Sequence, residues 1–273
     1  MINKNAPVGV FDSGVGGLTV MREIMRQIPN ERIVYFGDTA RVPYGSKSKD
    51  TITRYSRQIV RFLQAMEVKA IVVACNTASA YALDELEREV DIPIIGVVKP
   101  GARVAAQATV NGKLGVIGTE GTISSGIYTE YIEKINPNIT VIGKACPLFV
   151  PLVEEGLWQD PVTEDIARRY LGELIDTGID TLILGCTHYP LIRATVGRLL
   201  GEGVSMVNPA YETARELQEL LAKEGMLNDT QGKLGEEKYR FYVSDAAEKF
   251  RRFANSIIKY GILSAKTIHI EEY

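Results

Sequence analysis

Residues 69–79 read KAIVVACNTAS, and residues 180–190 read DTLILGCTHYP. In each, a run of β-branched and aliphatic residues leads to a small residue, then a cysteine, then small polar residues. Short unbroken apolar runs of this kind are expected of strands buried on both faces of a parallel sheet. Cys75 and Cys186 then stand at strand C-terminal ends, where open α/β sheets bind their ligands. Two thiols at equivalent places in two related halves suit a reaction that needs mirror-related acid/base groups.

Working outward, the same pattern recurs. Strands are predicted at Val8–Phe11, Ile33–Phe36, Ala70–Ala74, Ile94–Val98, Lys113–Ile117, Ile139–Ile142, Thr181–Leu184 and Val204–Val207. Helical patterns lie between them. In Leu18–Ile28 the apolar residues Leu18, Met21, Ile24, Met25 and Ile28 form one stripe. Asp50–Met66, Ala80–Glu89, Ile123–Ile135, Thr163–Asp176, Leu191–Leu200 and Tyr211–Glu224 also read as helices. This alternation predicts an α/β fold with helices on both sheet faces.

A second internal match points to duplication. VGVFDSGVGG (residues 8–17) resembles LGVIGTEGTI (residues 114–123), pairing Ser13 with Thr119. The offset is 106 residues here and 111 for the cysteines. The second copy is expected to begin at Lys99–Gly101, where Pro100 and Gly101 read as breakers, and to run to about Asn208–Pro209. The expected units are therefore 1–98 with 208–273, carrying Cys75, and 99–207, carrying Cys186. Helix Tyr211–Glu224 is expected to return to the first half. Asn228–Lys238 reads as a polar loop, and RFYVSDAAEKF (residues 240–250) as a strand followed by an Asp-initiated helix.

Composition narrows the classes. A formal net charge of −3 leaves no basic surplus for nucleic acid. No apolar run is long enough to span a bilayer, so no membrane partner is expected. The N-terminal MINKNAPVGVFDSG lacks a signal-peptide h-region, so a cytoplasmic location is expected. Three cysteines without a CxxC make no disulfide framework, and free thiols follow. Metal is not expected either: a Cys/His site needs more ligands at closer spacing.

Several groups are candidates for chemistry. A helix starting just after Cys75 or Cys186 would favour thiolate through its N-terminal N–H groups. Cys146 reads as a buried small hydrophobe. In DSGVGG (residues 12–17) the glycines allow a tight turn whose N–H groups can hold an anion, or a turn in which Asp12 or Ser13 caps a helix. Asp12 could also orient a substrate ammonium or a neighbouring thiol. GDTARVPYG (residues 37–45) reads as a loop in which Tyr44 and Gly45 line the crevice, or as turn chemistry alone. His188 is either structural or an acid/base aid to Cys186. His269 reads as structural, and Glu154-Glu155 as solvated surface.

Taken together, GVFDSGVGGLTV, GDTARVPYG, ACNTASA, GVIGTEGTI, ACPLFVPLVEEG and GCTHYPL resemble the glutamate racemases of the aspartate/glutamate racemase superfamily. The likeness runs from residue 8 to about residue 225. It implies two pseudo-symmetric flavodoxin-like domains with the site in the cleft between them. It also implies cofactor-free interconversion of L- and D-glutamate, supplying D-glutamate for peptidoglycan, by a protein that is commonly a homodimer. By motif match, Cys75 takes the α-proton from D-glutamate and Cys186 from L-glutamate. Asp12 is expected to assist Cys75; Glu155 and His188 are expected to assist Cys186. Asp12, Ser13, Tyr44, Gly45, Asn76, Thr77, Thr119, Thr122, Thr187 and His188 are the implied substrate contacts.

The chemistry suits this pair. Racemisation removes a proton from one face of Cα and adds one to the other, which two opposed sulfurs roughly 6–7 Å apart could do. Other readings stand beside it: a racemase for a related acidic amino acid such as aspartate, a binding protein for such an amino acid, or a thiol redox protein.

Overall fold

Two parallel sheets organise the chain. The computed structural model describes residues 3–228, 238–258 and 264–273. One sheet holds β1 (Val8–Asp12), β2 (Ile33–Gly37), β3 (Ala70–Val73) and β4 (Ile94–Gly96). Between these strands run α1 (Leu18–Gln27), α2 (Lys49–Ala65) and α3 (Asn76–Glu89). The chain then passes through α4 (Val98–Ala108) into the second sheet, which holds β5 (Lys113–Gly118), β6 (Thr140–Ala145), β7 (Thr181–Gly185) and β8 (Ser205–Val207). Its helices are α5 (Glu120–Ser124), α6 (Ile127–Ile135), α7 (Phe149–Glu154), α8 (Pro161–Ile175) and α9 (Arg193–Leu200). Helix α10 (Pro209–Lys223) leads back to the first sheet, completed by β9 (Tyr239–Val243), α11 (Ala247–Ile257) and β10 (Lys266–Thr267).

The strand orders are β10-β9-β2-β1-β3-β4 and β6-β5-β7-β8. Each therefore contains the same arrangement, with β1 and β5 in equivalent central places. The register explains the two sequence offsets. Val8 pairs with Ala70, and Leu114 pairs with Thr181. Cys75 and Cys186 each lie five residues beyond those partners (70 to 75, 181 to 186). The fold thus puts both thiols at the same height beside a central strand, although the intervening chain differs in length.

Burial accounts for the sequence pattern. Every residue of β1, β3 and β7 is buried. Alternate side chains go to opposite faces. Val10 and Val72 join a cluster with Leu217 and Leu221 of α10, while Phe11 and Val73 join Phe62 and Leu83 of α2 and α3. The second sheet is covered likewise: Leu171 and Val196 pack on one face, Ala102 and Ile132 on the other. Helix starts carry their own signals. Ser48, Asp160 and Asn208 accept hydrogen bonds from Thr51, Val162 and Ala210 N–H respectively, and Pro161 and Pro209 occupy the first turns.

Several expected boundaries differ. Lys99–Gly101, read as a break, lies in the first turn of α4, where Pro100 has no intrahelical hydrogen bond to lose. Gly101 is there for contact: a Cβ would stand 3.0 Å from Pro209 Cγ. The helix expected over Ile123–Ile135 is split into α5 and α6 by Gly126 at φ +68°. Helix α3 starts at Asn76 rather than Ala80, because Cys75 serves as its cap. The residue preceding α11 is Ala246, at φ +52°, in place of the expected Asp cap. Helices α4 and α7 and strand β10 are not among the elements expected from the sequence. Residues 229–237 of the expected polar loop lie outside the described residues. Among the described residues no helix is long and apolar enough to cross a membrane.

Candidate active site

The loops that follow β1, β3, β5 and β7 converge on one cavity of about 380 Å³, and both Cys75 and Cys186 line it. Ser13, Tyr44, Gly45, Asn76 and Thr77 contribute from the first sheet's side. Thr119, Thr187 and His188 contribute from the second's. Asp12 and Thr122 stand just behind this lining, both buried.

Cys75 caps α3 and its sulfur accepts the Ala78 N–H at 3.4 Å. Burial pushes its pKa up to about 12, helped by the Asp12 charge and opposed by hydrogen bonds from Ala78 and Ser13. Asp12 is fully buried; its Oδ2 accepts the Gly14 N–H at 3.0 Å, and among the described residues its Oδ1 has no hydrogen-bond partner. Burial raises its pKa, against the pull of His188 and the N–H groups of the turn. Neither Asp12 nor Ser13 caps α1, which begins after Gly17 with no side-chain bond. The glycines serve close approach instead. A Cβ on Gly17 would fall 2.4 Å from Asp12 Cβ.

Cys186 has a different neighbourhood. Its Sγ lies 3.7 Å from His188 Nδ1, and His188 Nε2 lies 3.1 Å from Glu154 Oε1. Burial pulls the imidazole down, but the bonds to Cys186 and Glu154 outweigh it and lift His188 to about 10. Glu154 is held below its usual range: burial opposes this, while His188 and then Lys249 favour its charge. The carboxylate that meets His188 is therefore Glu154, and the expectation for Glu155 is corrected. One helical step turns a side chain by about 100°. Glu155, just past the end of α7, is exposed and does not line the cysteine cavity; with Glu154, Lys249 and Arg252 it lines a neighbouring one.

Threonines join the two sides. Thr77 Oγ1 is 2.9 Å from Thr119 Oγ1 and 3.3 Å from Thr122 Oγ1; Thr119 also caps α5 by accepting the Thr122 N–H at 3.2 Å. Gly45 packs against Thr119, where a Cβ would come within 2.6 Å of Thr119 Cβ. The Tyr44 hydroxyl is turned to Asp38, which also binds Arg41 Nε at 2.7 Å and Ser244 Oγ at 2.8 Å. Asp38 and Arg41 escaped the sequence reading, although their spacing before Tyr44 within GDTARVPYG was visible. So did the apolar rim of Val42, Pro43, Pro147, Val150 and Pro151.

A buried pair of thiols, one beside a carboxylate and one beside an imidazole, can move protons at a single held carbon. The fold and this site define a class, and comparison with known proteins names it. The profile of the Asp/Glu/Hydantoin racemase family matches residues 8–217, and the chain belongs to that family. It is thus a racemase. Within the family its similarity is to glutamate racemases. That of Geobacter metallireducens is 50% identical over 251 residues, 92% of each chain. The crystal structure of a glutamate racemase isoform from Bacillus anthracis superposes with a TM-score of 0.93 at 41% identity, covering 97% of this chain and 98% of that one. The Francisella tularensis enzyme, solved in complex with D-glutamate, gives 0.92 at 40% identity, covering 99% and 100%. The resemblance carried by the motifs is borne out.

Proposed function

We propose that this chain interconverts L- and D-glutamate without a cofactor, using Cys75 and Cys186 as the two acid/base groups, and that it supplies D-glutamate for peptidoglycan. The observation that carries this reading is that both sulfurs, at equivalent registers of two like sheets, line one cavity. A thiolate on one side removes the Cα proton. The electron pair spreads into the α-carboxylate, and the opposite thiol returns a proton to the other face. Product leaves with the roles of the sulfurs exchanged.

The neighbours fit unequal tasks. Cys75, at about 12, meets L-glutamate as a thiol and so as the acid. In the reverse direction Asp12 takes the Cys75 proton and becomes neutral, so that its charge no longer opposes the thiolate, and the substrate ammonium lowers the cost further. Glu154 and His188 serve Cys186. Asn76 and the threonines offer donors to the carboxylates, and closure over the site would exclude water. We read the chain as two lobes, 1–98 with 208–273 and 99–207, acting in the cytoplasm as a homodimer. The division is supported by the membership of the two sheets.

The deciding experiment follows the circular dichroism of L-glutamate, and separately L-aspartate, with protein in deuterated water. Loss of signal with deuterium at Cα is expected for glutamate. It should vanish in both Cys75→Ala and Cys186→Ala. Glutamate that binds but keeps its optical rotation would leave only an amino-acid-binding protein, and faster loss with aspartate would reassign the substrate.

A further inference from the structure

Tyr128 touches both cysteine loops. It belongs to α6, beside the second sheet, and is 3% exposed. Its ring packs on Gly185, the residue before Cys186: a Cβ there would stand 3.3 Å from Tyr128 Cε2. Its hydroxyl donates to Asn76 Oδ1 at 2.7 Å, and Asn76 is the residue after Cys75.

Among the described residues the phenol makes no other hydrogen bond. A buried hydroxyl hydrogen needs an acceptor, so the oxygen end of the Asn76 amide faces Tyr128. Burial, and then the charge of Cys186, holds the phenol above its usual range, and it remains a donor at working pH. The amide N–H groups are left for the cavity, which Asn76 lines. Swung by half a turn, the same amide would present oxygen there, and oxygen repels a carboxylate.

We infer that Tyr128 is a positioning residue for racemisation: it fixes the Asn76 amide so that its N–H groups meet the α-carboxylate of the bound amino acid. The inference rests on the reading that glutamate is racemised in this cavity. Negative charge builds on that carboxylate as the Cα proton leaves. A donor already aimed stabilises it more than one that must first turn.

The test is steady-state racemisation of L-glutamate by Tyr128→Phe, Asn76→Ala and the double variant. Tyr128→Phe keeps the ring that fills the space and should lower kcat roughly tenfold, with KM changed less than about threefold. It should add nothing when Asn76 is already alanine. An equal loss in both backgrounds, or no loss in either, overturns the inference while leaving the racemase reading intact. Thermal unfolding checks that Tyr128→Phe is folded. Should it not be, Asn76→Asp gives a second route: it keeps an acceptor for Tyr128 but turns oxygen to the cavity, and an unchanged kcat there overturns the inference. A wild-type chain that leaves glutamate unracemised overturns the functional reading itself.

Discussion

Gly16 and His188 come from different sheets, yet they touch. A Cβ on Gly16 would fall 2.5 Å from His188 Nδ1 and 2.3 Å from Thr187 Oγ1. The glycine turn after β1 is therefore shaped by the loop that carries Cys186. Replacing Gly16 with alanine should push the imidazole away from the sulfur. Stability should fall by about 1–3 kcal/mol, the usual cost of overpacking. Racemisation should fall at least tenfold or so, as expected when a positioned proton-transfer group is displaced. Urea unfolding and circular dichroism on glutamate measure the two effects.

Glu154, not Glu155, governs the charge on His188. Glu154→Gln removes the hydrogen-bonded carboxylate that helps lift the imidazole to about 10, so its pKa should fall. Glu155→Gln should leave it in place. Nitrogen NMR of labelled histidine, read as a pH titration, separates the two.

His188 also links stability to pH. Its pKa rises from 6.5 in the unfolded chain to about 10 in the folded one. The native state therefore binds the proton more tightly, and the stabilisation is fully present below about 6.5. It is lost as pH rises through about 10. The stability difference between wild type and His188→Asn should shrink across that window in urea titrations. A difference that grows with pH would contradict the assignment.

At the other sulfur the sign reverses. The Asp12 charge is the second cause, after burial, of the rise of Cys75 to about 12. Asp12→Asn should lower the Cys75 pKa, because the thiolate no longer faces a carboxylate. Thiolate absorbance in a variant lacking Cys146 and Cys186 reports this directly. Alkylation of Cys75 near neutral pH should quicken in the same variant.

A buried pair far from the cavity bears on folding. Lys69 Nζ is 2.6 Å from Glu31 Oε2 and donates to the Lys4 and Met226 carbonyls at 2.7 and 2.8 Å. Lys69→Met leaves Glu31 buried without its cation and should cost about 3–5 kcal/mol in chemical denaturation. Replacing both residues with apolar ones of like size should cost much less.

The central strands β1, β2, β3, β5 and β7 were legible because burial on both faces leaves unbroken apolar runs, as in Val8–Phe11 and Ala70–Ala74, and the edge strands β4, β6 and β8, though less buried, keep short apolar runs of their own. Both cysteines were legible because the repeat is one of register, which survives changes in loop length. What escaped depends on rotation and contact. Pro100 looks like a break until its place in a first turn is known. Glu154 and Glu155 are interchangeable on paper, and only the phase of α7 tells them apart. Gly126 ends a helix whose apolar pattern continues across it. Tyr128 acts through Asn76, far away in the chain, which no local pattern reveals.

The two thiols have equivalent positions but unlike company: a lone carboxylate beside one, an imidazole–carboxylate pair beside the other. Mirror-image amino acids have identical free energies in water, so the overall equilibrium constant of any racemase is unity. The Haldane relation then forces kcat/KM to be equal in the two directions, whatever the asymmetry of the walls. Unlike surroundings can tilt only how each enantiomer divides its barrier between capture and turnover. The tighter-held hand must be converted more slowly in the same proportion.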